Sequence, residues 1–301
     1  MVDICLLGCG GMMPLPDRRL TALLYRYLGR MILVDCGEGT QVSIKLAGWG
    51  FKAIDAICFT HYHADHIAGL PGLLLALANS GREAPLKLFG PPGLKNIVKG
   101  LRVIAPELPF EVKLVEINAK STYRIGNIFI DSILVDHKIP CLSYSFNIKH
   151  PGKFDVDKAR GLNIPIAFWR RLQNGETVKN NGKLYNPGMV LGEERRGIKV
   201  TYCTDTRPTK GLIDLAENSD LFICEGIYGD NEKLSNAIQN KHMTFIEAAT
   251  LAKESRVKEL WLTHFSPSIK DPDMFIDNAK NIFSNSVSGK DLMKKTIFYD
   301  D

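Results

Sequence analysis

The sequence predicts an α/β fold, and three observations carry that prediction. Apolar runs of strand length alternate with stretches of helical character, Gly, Pro and Asn mark the joints, and four apolar runs stop at a histidine or an aspartate. A chain of 301 residues fits one large α/β domain, or one domain with an insertion, and 45% hydrophobic content suffices for a sizeable core. No apolar run approaches the roughly 20 residues needed to cross a bilayer, so no membrane partner is expected. The opening "MVDICLLGCGG" has neither a basic leader nor a cleavage site after a long apolar region. It reads as a first strand rather than a signal peptide, and a cytoplasmic protein is expected.

The elements follow in order. "DICLLG" is the first strand, and "LGCGGMM" after it fails the GxGxxG dinucleotide pattern because Met13 stands at the third glycine. That segment reads as a tight turn. "MILVDCG" is a strand feeding a helix over "GTQVSIKLAG"; "AICFTH" feeds "IAGLPGLLLALANS"; "LKLFGP" feeds "PPGLKNIVKGLRVIA"; and "IFIDSILVDH" is a further strand. Later, "IKVTYCTD", "DLFICEG" and "ELWLTH" read as strands, and "MTFIEAATLAKES" and "PDMFIDNAKNIFSN" as helices. The helix near residue 244 has a start signal, because Thr244 and Glu247 stand at capping-box spacing.

One region breaks the rhythm. Residues 150–196 are rich in Gly, Pro, Asn and basic side chains and show little strand or helix periodicity. They are expected to form an inserted arm within a domain spanning 1–301. The plainer alternative is a surface loop, although a long loop in a compact domain is more often functional than idle. The seven cysteines contain no CxxC pair and sit mostly in apolar runs, so they read as reduced core thiols, Cys9 included. A net charge of +5 gives mild support to an acidic partner such as RNA and decides nothing alone.

Chemistry concentrates in "ICFTHYHADHIAGLPGLL". His61, His63, Asp65 and His66 occupy the turn between a strand and a helix, and imidazole and carboxylate are donors that Zn²⁺ accepts at about 2.0 to 2.2 Å. Alternate residues leaving a strand can converge on one side while Asp65 and His66 point elsewhere, which supplies two neighbouring metal positions. Three further strand candidates end in a donor, His137, Asp205 and His264, and ligand sites in open α/β sheets gather beyond the carboxyl ends of strands. Five of the seven histidines enter this set, leaving His150 and His242.

"THYHADH" is similar to the HxHxDH signature of the metallo-β-lactamase fold superfamily, and the later His, Asp and His fall in that family's order. The resemblance implies an αββα sandwich of two similar halves with a two-metal site along one edge of both sheets. It further implies His61, His63 and His137 on one Zn²⁺, Asp65, His66 and His264 on the other, and Asp205 between them. Asp136 competes for a supporting role, against the simpler reading of an exposed strand-end carboxylate.

Within the superfamily the chain resembles ribonuclease Z, the endonuclease that trims tRNA precursors at the 3′ side. The likeness spans nearly the whole chain, in "LGCGGMMPLPDRR", "VDCGEGTQ", "NGETV" with "GKLYNP", "TDTRPT", "CEGIYG", "KHMTFIEAATLAKE" and "LTHFS". His242 stands just before a capped helix, where backbone N–H groups favour a phosphate, and an imidazolium there suits protonation of a departing 3′ oxygen. The resemblance pairs it with Glu225 and assigns Asp65 as proton acceptor; local packing of His242 beside a solvated Glu225 is the alternative. In the arm, Lys153, Lys158, Arg160, Arg170, Arg171, Lys179 and Lys183 surround Phe154, Phe168 and Trp169, a set suited to gripping the tRNA backbone by charge and stacking. The family also implies a homodimer whose arm holds tRNA for the partner's site.

The chain departs from the family in three places. "NIPIAFWRRL" lacks the arm's usual Gly-Pro pair, "THFSPSI" lacks the arginine after the last metal histidine, where Lys270 is the nearby substitute, and "PLPDRRLTAL" lacks the usual Asn. The expected function is a dizinc precursor-tRNA endonuclease that leaves a 3′-hydroxyl, with Mn²⁺ or Fe²⁺ as other acceptable ions. The alternatives are a metal-dependent phosphodiesterase of small or cyclic nucleotides and a non-catalytic RNA-binding relative.

Overall fold

The computed structural model describes residues 1–300; Asp301, the last residue of the expected domain, lies outside the described residues. Two compact units emerge, one of Met1–Asn147 with Lys199–Phe298, the other of Ile148–Ile198 with the chain's last residues.

The larger unit is built on two seven-stranded sheets. In the first, Met293–Ile297, Val2–Gly8, Ala22–Tyr27 and Arg30–Val34 pair antiparallel, and Ile54–Cys58, Leu86–Gly90 and Val112–Glu116 continue it in parallel. In the second, Ser121–Ile125 pairs antiparallel with Ile128–Val135, followed by Cys141–His150 and Arg195–Cys203; Leu221–Glu225, Leu260–Thr263 and Ser286–Ser288 extend it in parallel. Each sheet therefore changes from an antiparallel to a parallel half.

The central strands, such as Ile54–Cys58, Leu221–Glu225 and Leu260–Thr263, are apolar on both faces because both are covered. On one side of the first sheet, Leu24, Leu33, Ile57 and Leu88 share a core with Ile44 of helix Thr40–Ala47 and Leu73, Leu74 and Leu77 of helix Leu70–Asn79. The two sheets meet through other side chains: Tyr25 lies 5.1 Å from Phe146, ring to ring, and the Tyr144 hydroxyl donates to the Phe59 carbonyl at 2.7 Å. Helix Phe245–Glu254 buries Phe245, Ala248, Ala249, Leu251 and Ala252, and Thr244 with Glu247 closes the expected capping box. An αββα sandwich results, as the resemblance to the metallo-β-lactamase fold implies.

Register places the functional ends together. Val34 is opposite Cys58, Cys203 opposite Cys224, and Glu225 opposite Thr263, so the residues just past these strands emerge along one edge. Glycine permits the tight turn there. A Cβ on Gly37 would stand 2.0 Å from the Asp65 carbonyl oxygen, and one on Gly69 would stand 2.0 Å from that of Gly37.

Several elements differ from expectation. The expected helix from Ile67 is two helices, Ala64–Ile67 and Leu70–Asn79, because Gly69 must approach the Cys36–Gly37 backbone and receives no side chain there. Residues 150–196 are not irregular. They contain helices Val156–Gly161 and Trp169–Gln173 and a hairpin of Val178–Asn180 with Lys183–Tyr185, folded around Ala159, Ile164, Leu172, Val178, Tyr185 and Val190. Helices this short carry too few turns to print a period on the sequence. Phe154, Phe168 and Trp169 pack against that core, and the Trp169 indole donates to the Ile164 carbonyl at 3.0 Å. These rings serve the arm's own packing rather than standing out as a stacking surface. All seven cysteines are free and buried, and burial raises the thiols of Cys36 and Cys58.

Candidate metal centre

The strand-to-helix turn carries its donors in two directions. His61, fully buried, follows strand Ile54–Cys58; His63 precedes helix Ala64–Ile67, within which Asp65 and the buried His66 sit. His137 follows Ile128–Val135, Asp205 follows Arg195–Cys203 and His264 follows Leu260–Thr263. Asp35, Asp205 and His264 take left-handed backbone angles, with φ of 60°, 48° and 59°. Such angles cost about 1 kcal/mol or more for side chains with a Cβ and cluster at functional sites.

Asp205 stands between two groups. Its Oδ2 lies 3.7 Å from His61 Nε2 and 3.9 Å from His137 Nε2, while His63 Nδ1 is 3.0 Å from His61 Nε2 and 3.4 Å from His137 Nε2. Its Oδ1 lies 3.3 Å from His66 Nε2 and 3.2 Å from His264 Nε2, and both imidazoles are 3.4 Å from Asp65 Oδ2. Donors at the corners of a tetrahedron around an ion with bonds of about 2.0 to 2.2 Å are about 3.3 to 3.6 Å apart. The second group, at 3.2 to 3.4 Å, is close to that spacing, and the first, at 3.0 to 3.9 Å, brackets it. Asp205 Oδ1 is moreover buried with no hydrogen-bond partner among the described residues, which a cation would satisfy. Nitrogen and oxygen donors in these numbers fit a pair of Zn²⁺, Mn²⁺ or Fe²⁺ ions.

The protonation states around His61, His63 and His137 suit a cation, whereas Asp205 and Asp35 overcome burial and raise His66. Burial lowers His61, His63 and His137 despite the neighbouring Asp205, so these imidazoles are neutral. Burial alone would raise Asp65 and Asp205, but the surrounding histidines hold both far below the usual carboxylate range. Behind the donors, His66 Nδ1 meets Asp35 Oδ2 at 2.8 Å, His61 Nδ1 meets the Thr60 hydroxyl at 3.1 Å, and His137 Nδ1 meets the Lys241 carbonyl at 3.2 Å. Partners on the far nitrogen fix the tautomer and the direction of the near one. Asp35 was not identifiable as a site residue from spacing; the available signal is a charge ending the apolar run "MILVD".

His242 and Glu225 come together as a dyad. Glu225, fully buried, approaches His242 Nδ1 with Oε2 at 3.0 Å, accepts from the Thr206 N–H at 2.6 Å through Oε1 and from the Met243 N–H at 3.3 Å through Oε2. Burial pushes His242 down, yet the Glu225 carboxylate overcomes this and raises it to about 9. Arg207, which no sequence pattern marks, donates to the His242 carbonyl and to Glu247, the capping-box residue, and so fixes the turn. Asp136 is paired with Lys241 Nζ at 2.9 Å on the surface and backs no histidine. His150 lies in the smaller unit, stacked 3.9 Å from Tyr299.

His63, Asp65, His137, Asp205, His264 and His242 line a cavity of about 330 Å³ with Met12, Lys138, Ile227, Tyr228 and Asn240, while His61 and His66 lie buried behind it. Among its described lining residues the lysine is Lys138, not Lys270. In the smaller unit Lys153, Arg170 and Arg171 are exposed, Arg171 paired with Glu176 at 2.8 Å.

Sequence comparison decides the family. A ribonuclease Z of Clostridium kluyveri is 55% identical over 303 residues, covering all of both chains. The chain belongs to the ribonuclease Z family. A family model described as anti-Pycsar protein Apyc1 also matches residues 2–284. Among solved structures, the metallo-β-lactamase fold protein YhfI of Bacillus subtilis aligns with a TM-score of 0.70 at 21% identity, over 98% of each chain. Human tRNase Z, short form, gives 0.70 at 23% identity, again over 98% of each chain. The architecture is thus the metallo-β-lactamase fold, and as a ribonuclease Z family member the chain is a metal-dependent hydrolase.

Proposed function

We propose that the protein is an endonuclease that uses two Zn²⁺ ions to cleave precursor tRNA at its 3′ side, leaving a 3′-hydroxyl on the tRNA. The observation that carries the reading is the split of Asp205, one oxygen toward His61 and His137 and the other toward His66 and His264. His61, His63 and His137 would hold one ion and Asp65, His66 and His264 the second, with Asp205 available to both. Ions so held lower the pKa of a water and neutralise charge on an attacked phosphate.

This chain's own groups move the protons. Asp65 accepts one from the attacking water. His242, kept protonated at neutral pH by Glu225, gives its proton to the departing 3′ oxygen. The arm's exposed Lys153, Arg170 and Arg171 neutralise backbone phosphates away from the cut, acting in a homodimer on tRNA at the partner's site. Incubation with a precursor tRNA carrying a short 3′ trailer, followed by end-group analysis, tests the reading. Release of tRNA with a 3′-hydroxyl supports it. Hydrolysis of bis(p-nitrophenyl) phosphate with an untouched precursor would point instead to a small-molecule phosphodiesterase.

A further inference from the structure

Lys138 follows directly on His137 and is exposed at the cavity mouth. Its Nζ donates to Asn240 Oδ1 at 3.1 Å, and Asn240 Nδ2 donates to the Tyr228 hydroxyl at 3.2 Å. All three side chains line the same cavity as His63, Asp65, His137, Asp205 and His264. No carboxylate pairs with Lys138 among the described residues, whereas Lys241 nearby is neutralised by Asp136 at 2.9 Å. An ammonium braced by a neutral amide keeps its full charge and a fixed position. That is how an anion site differs from a surface ion pair.

The side of the cavity identifies the anion. Asn240 is two residues from His242, and the His242 ring is 5.3 Å from that of His137, next to Lys138. The Lys138–Asn240–Tyr228 chain therefore flanks His242, the proton donor of the nuclease reading. We infer that Lys138 binds the 5′-phosphate of the nucleotide whose 3′ oxygen is released, with Asn240 and Tyr228 fixing its position. This phosphate belongs to the RNA one nucleotide before the cut, and the inference rests on the nuclease reading above. Tyr228 also borders a second hollow of about 500 Å³, where Met274 and Phe275 offer apolar surface to the attached base. The assignment supplies a phosphate-binding cation where "THFSPSI" has none.

The test is a double-mutant cycle on precursor-tRNA cleavage, pairing Lys138→Met with a neutral methylphosphonate at that one phosphate. Each change alone is expected to lower kcat/KM about fivefold, the combination no further than either, and Lys138→Arg should retain most of the activity. Independent effects that multiply in the combination would overturn the assignment, as would a methylphosphonate without effect on the wild-type protein. Failure of the wild-type protein to cut the unmodified precursor is a different result: it removes the nuclease reading, and the inference with it.

Discussion

Asp35 and His66 meet at 2.8 Å with both side chains wholly buried, 31 residues apart in sequence and on the side of the imidazole away from Asp205. The carboxylate also accepts from the Thr60 N–H at 2.8 Å, so its position is fixed by backbone. It sets the proton on Nδ1 and aims Nε2 into the Asp65, His66 and His264 group. Asp35→Ala is expected to weaken the second ion about 10- to 100-fold. Metal content after dialysis against graded chelator measures this, and retention equal to wild type would remove the orienting role.

Asp205 is shared, so its loss is felt at both positions. Asp205→Ala is expected to reduce bound metal from two equivalents to less than one, and to abolish turnover. His264→Ala, by contrast, should spare the ion held by His61, His63 and His137. Stoichiometry by elemental analysis separates these outcomes; equal losses in the two variants would contradict the split arrangement.

The arm's charges act at range and should show in salt dependence. Lys153, Arg170 and Arg171 are exposed, and each phosphate contact contributes about one unit to the slope of log affinity against log salt. Replacing all three by alanine is expected to flatten that slope by about two to three units for precursor tRNA. An unchanged slope would place the tRNA contacts elsewhere.

Much of this was legible in the sequence because apolar strands ending in His or Asp declare both the sheet and its functional edge. His61, His63, Asp65, His66, His137, Asp205 and His264 all arrive at one place. What stayed hidden acts through other residues. Asp35 touches His66 and Arg207 holds the His242 turn, and nothing local in either stretch reveals a partner 31 or 35 residues away. Strand Cys141–His150 was unreadable for another reason: its Ser, Asn and Lys positions blur the apolar run that marked its neighbours. The arm's core is not legible in the sequence because short helices and a hairpin of two three-residue strands depend on mutual packing more than on local pattern.

The His242–Glu225 pair makes a prediction whose sign follows from the charge. Burial alone would lower His242, so its rise to about 9 depends on the Glu225 carboxylate 3.0 Å away. A raised histidine is fully protonated below its ordinary value and loses its proton as pH climbs through the raised one. The proton donor, and the stability gained from the pair, are therefore present at neutral pH and lost toward about pH 9. Glu225→Gln keeps the shape and removes the charge, so the alkaline limb of the kcat profile should move to lower pH. Bound ions would act on His242 alike in both proteins, and the comparison isolates the carboxylate. His242→Ala should lower kcat about two to four orders of magnitude while bound metal stays at the wild-type level. If Glu225→Gln leaves the alkaline limb in place, the limb belongs to another group and His242 is not the acid.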